Sequence, residues 1–414
     1  MTSKLTVSLI SLLAIVNTAH NLSAAEMRTA RIKSTPLAGH TDTTKPANFS
    51  PDDKFIVTTS ADNTACIWNT ATGTLVHTLA GHTDFVHSAN FSPDGRLIVT
   101  ASFDRTACIW NTATGTLVHT LAGHTNIVNS ANFSPDGRLI VTASDDRTAC
   151  VWSTATGALV HTLAGHTNIV NSANFSPDGR LIVTASFDRT ACVWSTATGA
   201  LVHTLAGHTG IVRSANFSPD GRLIVTASDD HTVRVWNTAT GALVRTLAGH
   251  TGAVYSGNFS PDGRLIVTTS FDHTACIWNT ATVALVRTLA GHTNIVNSAN
   301  FSPDGRLIVT ASRDNTACIW NTATGTLVHT LAGHTDWVNA ANFSPDGRLI
   351  VTASCDQIAC VWRDTHVQQQ ERALAMVLAS AQHPRLGAYS PAGLLDRLTT
   401  QLIASFGLAD SFSK

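Results

Sequence analysis

Histidine, serine and aspartate recur along this chain in a fixed phase, and these three residue types together can form a hydrolase triad. One set consists of His124, Ser144 and Asp146, and Trp152 follows it. The same set returns at a constant interval, eight times in all. A catalytic nucleophile is unique in its site, whereas here every copy carries the full set. We therefore expect no catalysis by these residues, no cofactor and no enzymatic activity.

The interval between copies is 42 residues, measured from one Gly-His pair to the next, and a Trp follows each His after 28 residues. The pairs are Gly39-His40, Gly81-His82, Gly123-His124, Gly165-His166, Gly207-His208, Gly249-His250, Gly291-His292 and Gly333-His334. Eight copies on one period without insertions indicate a repeat fold in which each copy is one structural unit.

Each unit predicts four short strands separated by turns. In the third copy we expect strands over 128–134, 138–144, 148–153 and 158–163, with Pro135-Asp136-Gly137 forming the first turn. One four-stranded sheet cannot bury both of its faces, so the eight sheets must stack around an axis. The sequence thus predicts an all-β fold, a closed eight-bladed β-propeller of four-stranded antiparallel blades.

The repeated histidines and cysteines could in principle hold a metal ion or form disulfides. Stacked sheets lie roughly 10 Å apart, which is too far for copies on neighbouring blades to share a metal or a disulfide. We therefore expect no metal and read the repeated cysteines as small buried thiols. Cys355 alone is off the pattern, and its pairing with Cys360 stays open. Seven cysteines stand two residues before the Trp of their copy: Cys66, Cys108, Cys150, Cys192, Cys276, Cys318 and Cys360.

The Gly-His start, the Ser-x-Asp turn and the late Trp resemble the WD-repeat β-propeller family, over residues from about 30 to 362. The residue after Trp is Asn, Ser or Arg and never Asp, a departure that leaves the expected fold unchanged. The resemblance implies a buried hydrogen-bonded chain from Trp152 to Ser144, His124 and Asp146. It also implies that the N-terminal segment 30–38 supplies the strand missing from the last blade, which closes the ring.

Positions that differ among nearly identical copies single out a candidate binding surface. They precede the blade Asp or follow Gly-His-Thr, and in the WD-repeat family such positions surround one mouth of the channel, the top face. Aromatic residues rimmed by polar groups are typical of interface hot spots. Neutral drift, with Phe packed on its neighbours, is the alternative. The candidate residues are Phe85, Phe103, Asp145, Phe187, Arg213, Asp229, Tyr255, Phe271, Arg313 and Trp337.

The two ends of the chain depart from the repeat. Residues 1–25 combine Lys4, an apolar run and small residues before Glu26, which favours a signal peptide and a secreted or extracytoplasmic protein. The many unpaired cysteines favour the cytoplasm instead. Residues 26–362 are expected to form the propeller, and 363–414 a short helical C-terminal tail. In that tail, 390–406 weakly resembles an F-box- or SOCS-box-like docking helix.

The charge balance bears on the class of partner. Lys and Arg number 26 against 27 Asp and Glu, so long-range attraction to nucleic acid or to an anionic membrane is not expected. The sequence favours a monomeric, non-catalytic scaffold that binds other proteins through the top face. Two alternatives stay open: a ubiquitin-ligase substrate receptor that acts through its tail, and an extracellular propeller that binds glycans or a surface.

Overall fold

The structure, a computed structural model, describes residues 32–364 except Val283. Ser34–Arg363 form one compact unit. The proposed signal peptide and the proposed helical tail lie outside the described residues, so both stay predictions, together with the cellular location that the former would decide. The described unit is all-β and contains 32 strands in eight four-stranded sheets.

The first and second strands of each blade form a hairpin around a Pro-Asp-Gly turn, which in blade 1 is Pro51-Asp52-Asp53 with Asp53 at φ 61°. We number the blades 1 to 8 in chain order. The first strands are β2 Thr44–Phe49, β6 Val86–Phe91, β10 Val128–Phe133, β14 Val170–Phe175, β18 Val212–Phe217, β22 Val254–Phe259, β26 Val296–Phe301 and β30 Val338–Phe343. The second strands are β3 Phe55–Ser60, β7 Leu97–Ser102, β11 Leu139–Ser144, β15 Leu181–Ser186, β19 Leu223–Ser228, β23 Leu265–Ser270, β27 Leu307–Ser312 and β31 Leu349–Ser354.

The third strand carries the repeated Trp, and the fourth is the most exposed strand of each blade. The third strands are β4 Thr64–Asn69, β8 Thr106–Asn111, β12 Thr148–Ser153, β16 Thr190–Ser195, β20 Thr232–Asn237, β24 Ala275–Asn279, β28 Thr316–Asn321 and β32 Ala359–Asp364. The fourth strands are β5 Leu75–Ala80, β9 Leu117–Ala122, β13 Leu159–Ala164, β17 Leu201–Ala206, β21 Leu243–Ala248, β25 Leu285–Leu289 and β29 Leu327–Ala332.

Blade 8 takes its fourth strand from the other end of the chain. Its sheet has the order β1-β32-β31-β30, where β1 is Ile32–Leu37. The closure expected from the N-terminal segment is therefore present. Thr44, which replaces the Val of the other copies, is fully buried, and its Oγ1 donates to the Ser354 carbonyl at 2.7 Å while accepting from the Ser354 N–H at 2.9 Å. A hydroxyl at this position thus links blade 1 to blade 8.

The hydrophobic core lies between blades rather than within them. Val99 and Leu121 of blade 2 pack against Ala131, Ile140 and Trp152 of blade 3, and all five side chains are buried. Equivalent clusters repeat around the ring. The Gly of each Gly-His pair belongs to this packing: a Cβ on Gly123 would lie 3.0 Å from Cη2 of Trp152, so the indole occupies the space that a side chain would need. Each blade is stable because its neighbours cover both faces.

A ring of asparagine amides, one per first strand, joins the blades around the channel. Each side chain donates from Nδ2 to Oδ1 of the next Asn, at 2.7–3.3 Å, and the last bond runs from Asn342 to Asn48. The same Nδ2 groups also donate to backbone carbonyls of the following blade. The eight members are Asn48, Asn90, Asn132, Asn174, Asn216, Asn258, Asn300 and Asn342. This closed circle satisfies every donor of the eight amides.

Candidate functional site

The hairpin of each blade defines two opposite ends of the channel. In blade 2, Phe85 precedes the first strand and Phe103 follows the second, and the Phe103 N–H donates to the Phe85 carbonyl at 2.9 Å. The Pro93-Asp94-Gly95 turn lies at the other end of the same two strands. We call the end that carries the positions equivalent to Phe85, His87 and Phe103 the top mouth, and the end with the turns the bottom mouth.

The buried polar network of each blade contains a Thr where the sequence analysis placed a Ser. Trp152 Nε1–H donates to Thr142 Oγ1 at 2.9 Å, and the same oxygen lies 2.7 Å from His124 Nε2. His124 Nδ1 lies 2.7 Å from Asp146 Oδ2. In all eight blades the His–Thr contact is 2.7–2.8 Å and the Trp–Thr contact 2.8–2.9 Å. The assignment of Ser144 to this chain is therefore wrong.

Strand register explains the correction. Trp152 pairs with Ile140, so the nearest hydroxyl on the same face of β11 is that of Thr142, two residues along. Ser144 lies a further two residues away, at the strand end, where its hydroxyl donates to the Asn126 carbonyl at 3.1 Å and accepts from the Asp146 N–H at 3.1 Å. Ser144 therefore fixes the loop that carries Asp146, and Thr142 connects Trp152 to His124.

Burial determines the protonation of this network. Burial lowers the pKa of His124, and the partly compensating charge of Asp146 does not restore it. The same direction holds for His82, His166, His208, His250 and His292. Burial alone would raise the pKa of the Asp146 carboxyl, but hydrogen bonds from Thr148, His124 and the Thr125 N–H hold it below its usual value. A neutral His that donates to an ionised Asp fits these directions, and the network acts as a structural link.

The cysteines are unpaired thiols. All eight are free, including Cys355 and Cys360, whose pairing the sequence left open. Burial raises the pKa of Cys66, Cys108, Cys150, Cys192, Cys276 and Cys318 to about 11, and that of Cys360 to about 12. Within residues 32–364, Val283 excepted, no group of three or more His, Cys, Asp or Glu side chains is placed to hold a metal ion.

The top mouth of blades 1 and 2 holds an aromatic cluster with one cation beside it. Phe85 and Phe103 meet edge to face with centroids 4.9 Å apart, and His87 stacks on Phe103 at 5.7 Å. The Lys45 ammonium lies 5.9 Å from the Phe85 centroid. Phe85 and Phe103, both predicted site residues, are thus brought together and are half-buried by each other.

In blades 4 to 6, Arg213 lies between two predicted aromatics. Its guanidinium carbon is 5.6 Å from the centroid of Phe187 and 5.6 Å from that of Tyr255, which are cation–π distances. Asp229 neutralises it through two hydrogen bonds, of 2.7 Å from Nε and 2.8 Å from Nη2. Asp145 of blade 3 has no such cation: it accepts from the Asn129 amide at 2.7 Å.

In blades 6 to 8, Arg313 also lies between two aromatic rings. Its guanidinium carbon lies 5.7 Å from the centroid of Phe271 and 4.7 Å from that of Trp337. Here the Nε donates to Asn297 Oδ1 at 3.1 Å, and none of the described carboxylates lies within salt-bridge distance. Trp337 is 44% exposed, the largest exposure of any Trp described. Tyr255 and Phe271, with ring centroids 5.8 Å apart, join the Arg213 group to the Arg313 group, so nine of the ten predicted residues form two clusters and Asp145 lies apart from them.

Two sets of top-mouth residues were not predicted from the sequence. Lys45 stands at the position of His87 and Arg213, and comparison of that position in blade 1 would have found it. The second set follows the blade Asp in the left-handed backbone region, with φ near 70°, and contributes the exposed side chains of Arg105, Arg147 and Arg189 in blades 2 to 4. These positions also vary among the copies, so the same signal was present.

The bottom mouth is more uniform. Its turns place Asp94 and Arg96 3.8 Å apart, with the Arg side chain 85% exposed, and the equivalent pairs repeat from blade to blade. Isolated exposed pairs of this kind contribute little energy. A cavity of about 730 Å³ lies at this end and is lined by members of the amide ring and by Phe and Pro side chains such as Phe91 and Pro93.

These features define the protein as a closed eight-bladed β-propeller with a repeated His–Thr–Trp network. The chain belongs to the WD40 family (WD domain, G-beta repeat), whose model matches eight successive segments. They are residues 32–69, 73–111, 115–153, 157–195, 199–237, 241–279, 284–321 and 325–363. WD40 propellers typically act as protein-interaction scaffolds. Among the residues described, none lie in a helix that is long and apolar enough to span a bilayer.

The chain also has a similar fold to one solved structure. The chain is similar to the crystal structure of the computationally designed Ika8 protein, with a TM-score of 0.72 and 28% identity, over 79% of this chain and 98% of that one. The comparison with curated proteins found no match.

Proposed function

We propose that this propeller is a non-catalytic scaffold that binds a partner protein at the top mouth. The observation that carries the proposal is that Lys, His, Asn, Arg and Tyr replace one another at the position of Lys45, and Phe, Asp, Arg and Cys at the position of Phe103, while the His–Thr–Trp network is the same in every blade. Interface hot spots are enriched in Trp, Tyr and Arg surrounded by polar groups. Phe85, Arg213, Tyr255, Arg313 and Trp337 supply that composition within one ring.

The exposure of these side chains supports the proposal over pure internal packing. Trp337 leaves 44% of its surface accessible although it packs on Arg313. Phe103, Phe187 and Phe271 are each half-buried, so each packs on a neighbour and still presents surface. A partner that covered the mouth would bury this remaining aromatic area. Burial of aromatic area together with hydrogen bonds to the rim is the usual source of affinity in such interfaces.

The test is capture of binding proteins by the full chain and by a variant with Phe103→Ala, Phe187→Ala and Phe271→Ala. The matched control changes Arg96→Ala, Arg180→Ala and Arg264→Ala, which lie at the bottom mouth of the same three blades. Circular dichroism first establishes that all three proteins fold. We expect a partner that the intact chain and the control retain and the Phe variant loses. Equal retention by the Phe variant would assign those residues to packing or drift and reject the top mouth.

A further inference from the structure

Two arginines in the top mouth have the same aromatic surroundings and opposite charge surroundings. Arg213 lies 5.6 Å from each of two ring centroids, and Arg313 lies 5.7 Å and 4.7 Å from its two. Asp229 saturates Arg213 with a bidentate ion pair. Arg313 meets only the neutral Asn297 amide through Nε, which leaves the two terminal nitrogens of its planar fork without a described carboxylate partner.

A second cation lies on the blade 1 side of the same mouth. Lys45 follows Thr44, whose carbonyl accepts a hydrogen bond from the Asn339 amide of blade 8 at 2.8 Å. Lys45 is half-buried, its ammonium lies 5.9 Å from the Phe85 centroid, and none of the described carboxylates lies within salt-bridge distance of it. Burial lowers the pKa of Lys45, Cys355 raises it, and the charge of Arg313 lowers it. An anion that reached both Lys45 and Arg313 would be attracted by both charges.

The walls of this part of the mouth define what kind of anion would fit. Trp337 offers an exposed aromatic face next to Arg313, and the Asn339 amide, held by the Thr44 carbonyl at 2.8 Å and by Cys355 at 3.3 Å, lines the space between blades 8 and 1. A carboxylate matches the guanidinium fork of Arg313 bidentately, as Asp229 already does at Arg213. An apolar neighbour on the same ligand would cover the Trp337 ring.

We infer that Arg313 and Lys45 form a carboxylate-binding subsite of the top mouth, which takes an Asp or Glu side chain of a peptide segment of the partner protein. This inference rests on the proposed function, because it names the chemistry of the partner at that same surface. Arg213 is excluded from the role since Asp229 occupies its fork. The partner is thus expected to be acidic at one point and apolar beside it.

A peptide selection tests this chemistry without a known partner. A random 12-residue peptide library displayed on phage is selected on the full-length chain, on Arg313→Gln, on Lys45→Gln and on the bottom-mouth control Arg264→Gln. Binders of the intact chain are then synthesised with each acidic residue replaced by its amide and measured by calorimetry. We expect Asp or Glu at one fixed position among the binders of the intact chain and of Arg264→Gln. The amide peptide should bind about 10- to 100-fold more weakly, the range for a charge-assisted hydrogen bond.

The variants give separate readouts. Arg313→Gln and Lys45→Gln should each reduce the difference between acidic and amide peptides, and the combined change should abolish it, whereas Asp229→Asn should give Arg213 a preference for acidic peptides. Both single variants are checked for folding by circular dichroism, and either suffices if the other unfolds. Binders that depend on Phe103, Phe187 and Phe271 but show no acidic preference would overturn the subsite and keep the proposed function.

Other results would contradict the subsite, the proposed surface or the carboxylate ligand. Binders that are unaffected by the three Phe→Ala changes, or the absence of any binder, would overturn both the subsite and the proposed surface. Replacing the acidic position by phosphoserine distinguishes the source of the negative charge. Tighter binding of the phosphopeptide, with no preference for Glu over Gln, would assign the two cations to a phosphate and reject a carboxylate ligand.

Discussion

The interior of the blades keeps the same polar side chains in every copy, whereas the side chains of the top mouth differ from copy to copy. Inside, His, Thr, Asp and Trp form a network whose members keep the same partners in all eight blades. At the mouth, neighbouring copies replace Phe by Asp, Arg or Cys at one position. A buried network cannot change one member without leaving another unsatisfied, whereas a half-exposed group can exchange its partner for water. Variation therefore collects where the energetic penalty is small.

A change of pH should have the largest effect, because it acts on the buried His and Asp side chains of many blades at once. A His with a pKa below its unfolded value of about 6.5 binds fewer protons when folded, so stability falls as the pH falls through that value. The aspartates act in the same direction. Their stabilisation is present above the unfolded pKa and is lost as the pH falls toward the folded value, about 2 for Asp230 and Asp272. Burial opposes that shift, and hydrogen bonds such as those from Thr232 and Thr274 outweigh it.

We therefore expect Tm to be highest at and above pH 7, to decrease between about pH 6.5 and 5, and to decrease further below about pH 4. Thermal unfolding followed by circular dichroism from pH 8 to pH 2 measures this. A variant with Arg213→Gln and Asp229→Asn, which removes the mouth ion pair, should give a parallel curve. A Tm that stays level or rises from pH 7 to 5 would contradict the role assigned to the histidines.

Two tryptophans provide the next comparison. Trp194 is 1% exposed and contacts the Gly165 backbone and the neighbouring blade, whereas Trp337 is 44% exposed. Trp194→Ala should lower the free energy of unfolding by about 3–5 kcal/mol, the range for emptying a buried aromatic site. Trp337→Ala should lower it by less than about 1 kcal/mol. Denaturant unfolding measures the free energy of unfolding of both variants. Similar decreases for the two would contradict the distinction between interior and mouth.

Removal of the Thr142 hydroxyl should have a smaller effect on the unfolding free energy, and a serine variant provides the control. Thr142→Val keeps the shape but leaves the Trp152 Nε1–H and the His124 Nε2 without their shared partner, which should lower the unfolding free energy by about 2–4 kcal/mol. Thr142→Ser keeps the hydroxyl and removes one methyl group, for a loss of about 1 kcal/mol. The same denaturant experiment compares them. A serine variant as unstable as the valine variant would show that the network contributes little.

The smallest expected difference lies within the mouth. Arg213→Gln breaks a bidentate ion pair whose side chains are 26% and 23% exposed, and should lower the unfolding free energy by about 1 kcal/mol. Arg313→Gln removes a cation without an acidic partner and should change it by less than about 0.5 kcal/mol. Differential scanning calorimetry measures the stability of both variants. If Arg313→Gln proved the more destabilising variant, Arg313 would belong to the scaffold rather than to a binding subsite.

The strands of the repeat were predictable almost to the residue. Expected strands at 128–134, 138–144, 148–153 and 158–163 correspond to Val128–Phe133, Leu139–Ser144, Thr148–Ser153 and Leu159–Ala164. Pro, Gly and Asp punctuation marks each turn, and alternation marks each strand, so these are local properties. The number of blades followed from counting units, and the closure by the N-terminal segment was implied by the resemblance to the WD-repeat family. The candidate mouth residues were predictable because eight copies could be compared with one another.

The repeat, the strands and the positions free to vary could be read from the residues alone, because local pattern and periodicity encode them. Which side chains meet depends on how the strands and blades pack. Register across β11 and β12 selected Thr142 over Ser144, since a difference of two residues along a strand moves a hydroxyl about 7 Å. Packing between blades paired Arg213 with Asp229 and left Arg313 between Phe271 and Trp337 without a carboxylate. Such contacts join residues on different strands and blades, and no local pattern specifies them.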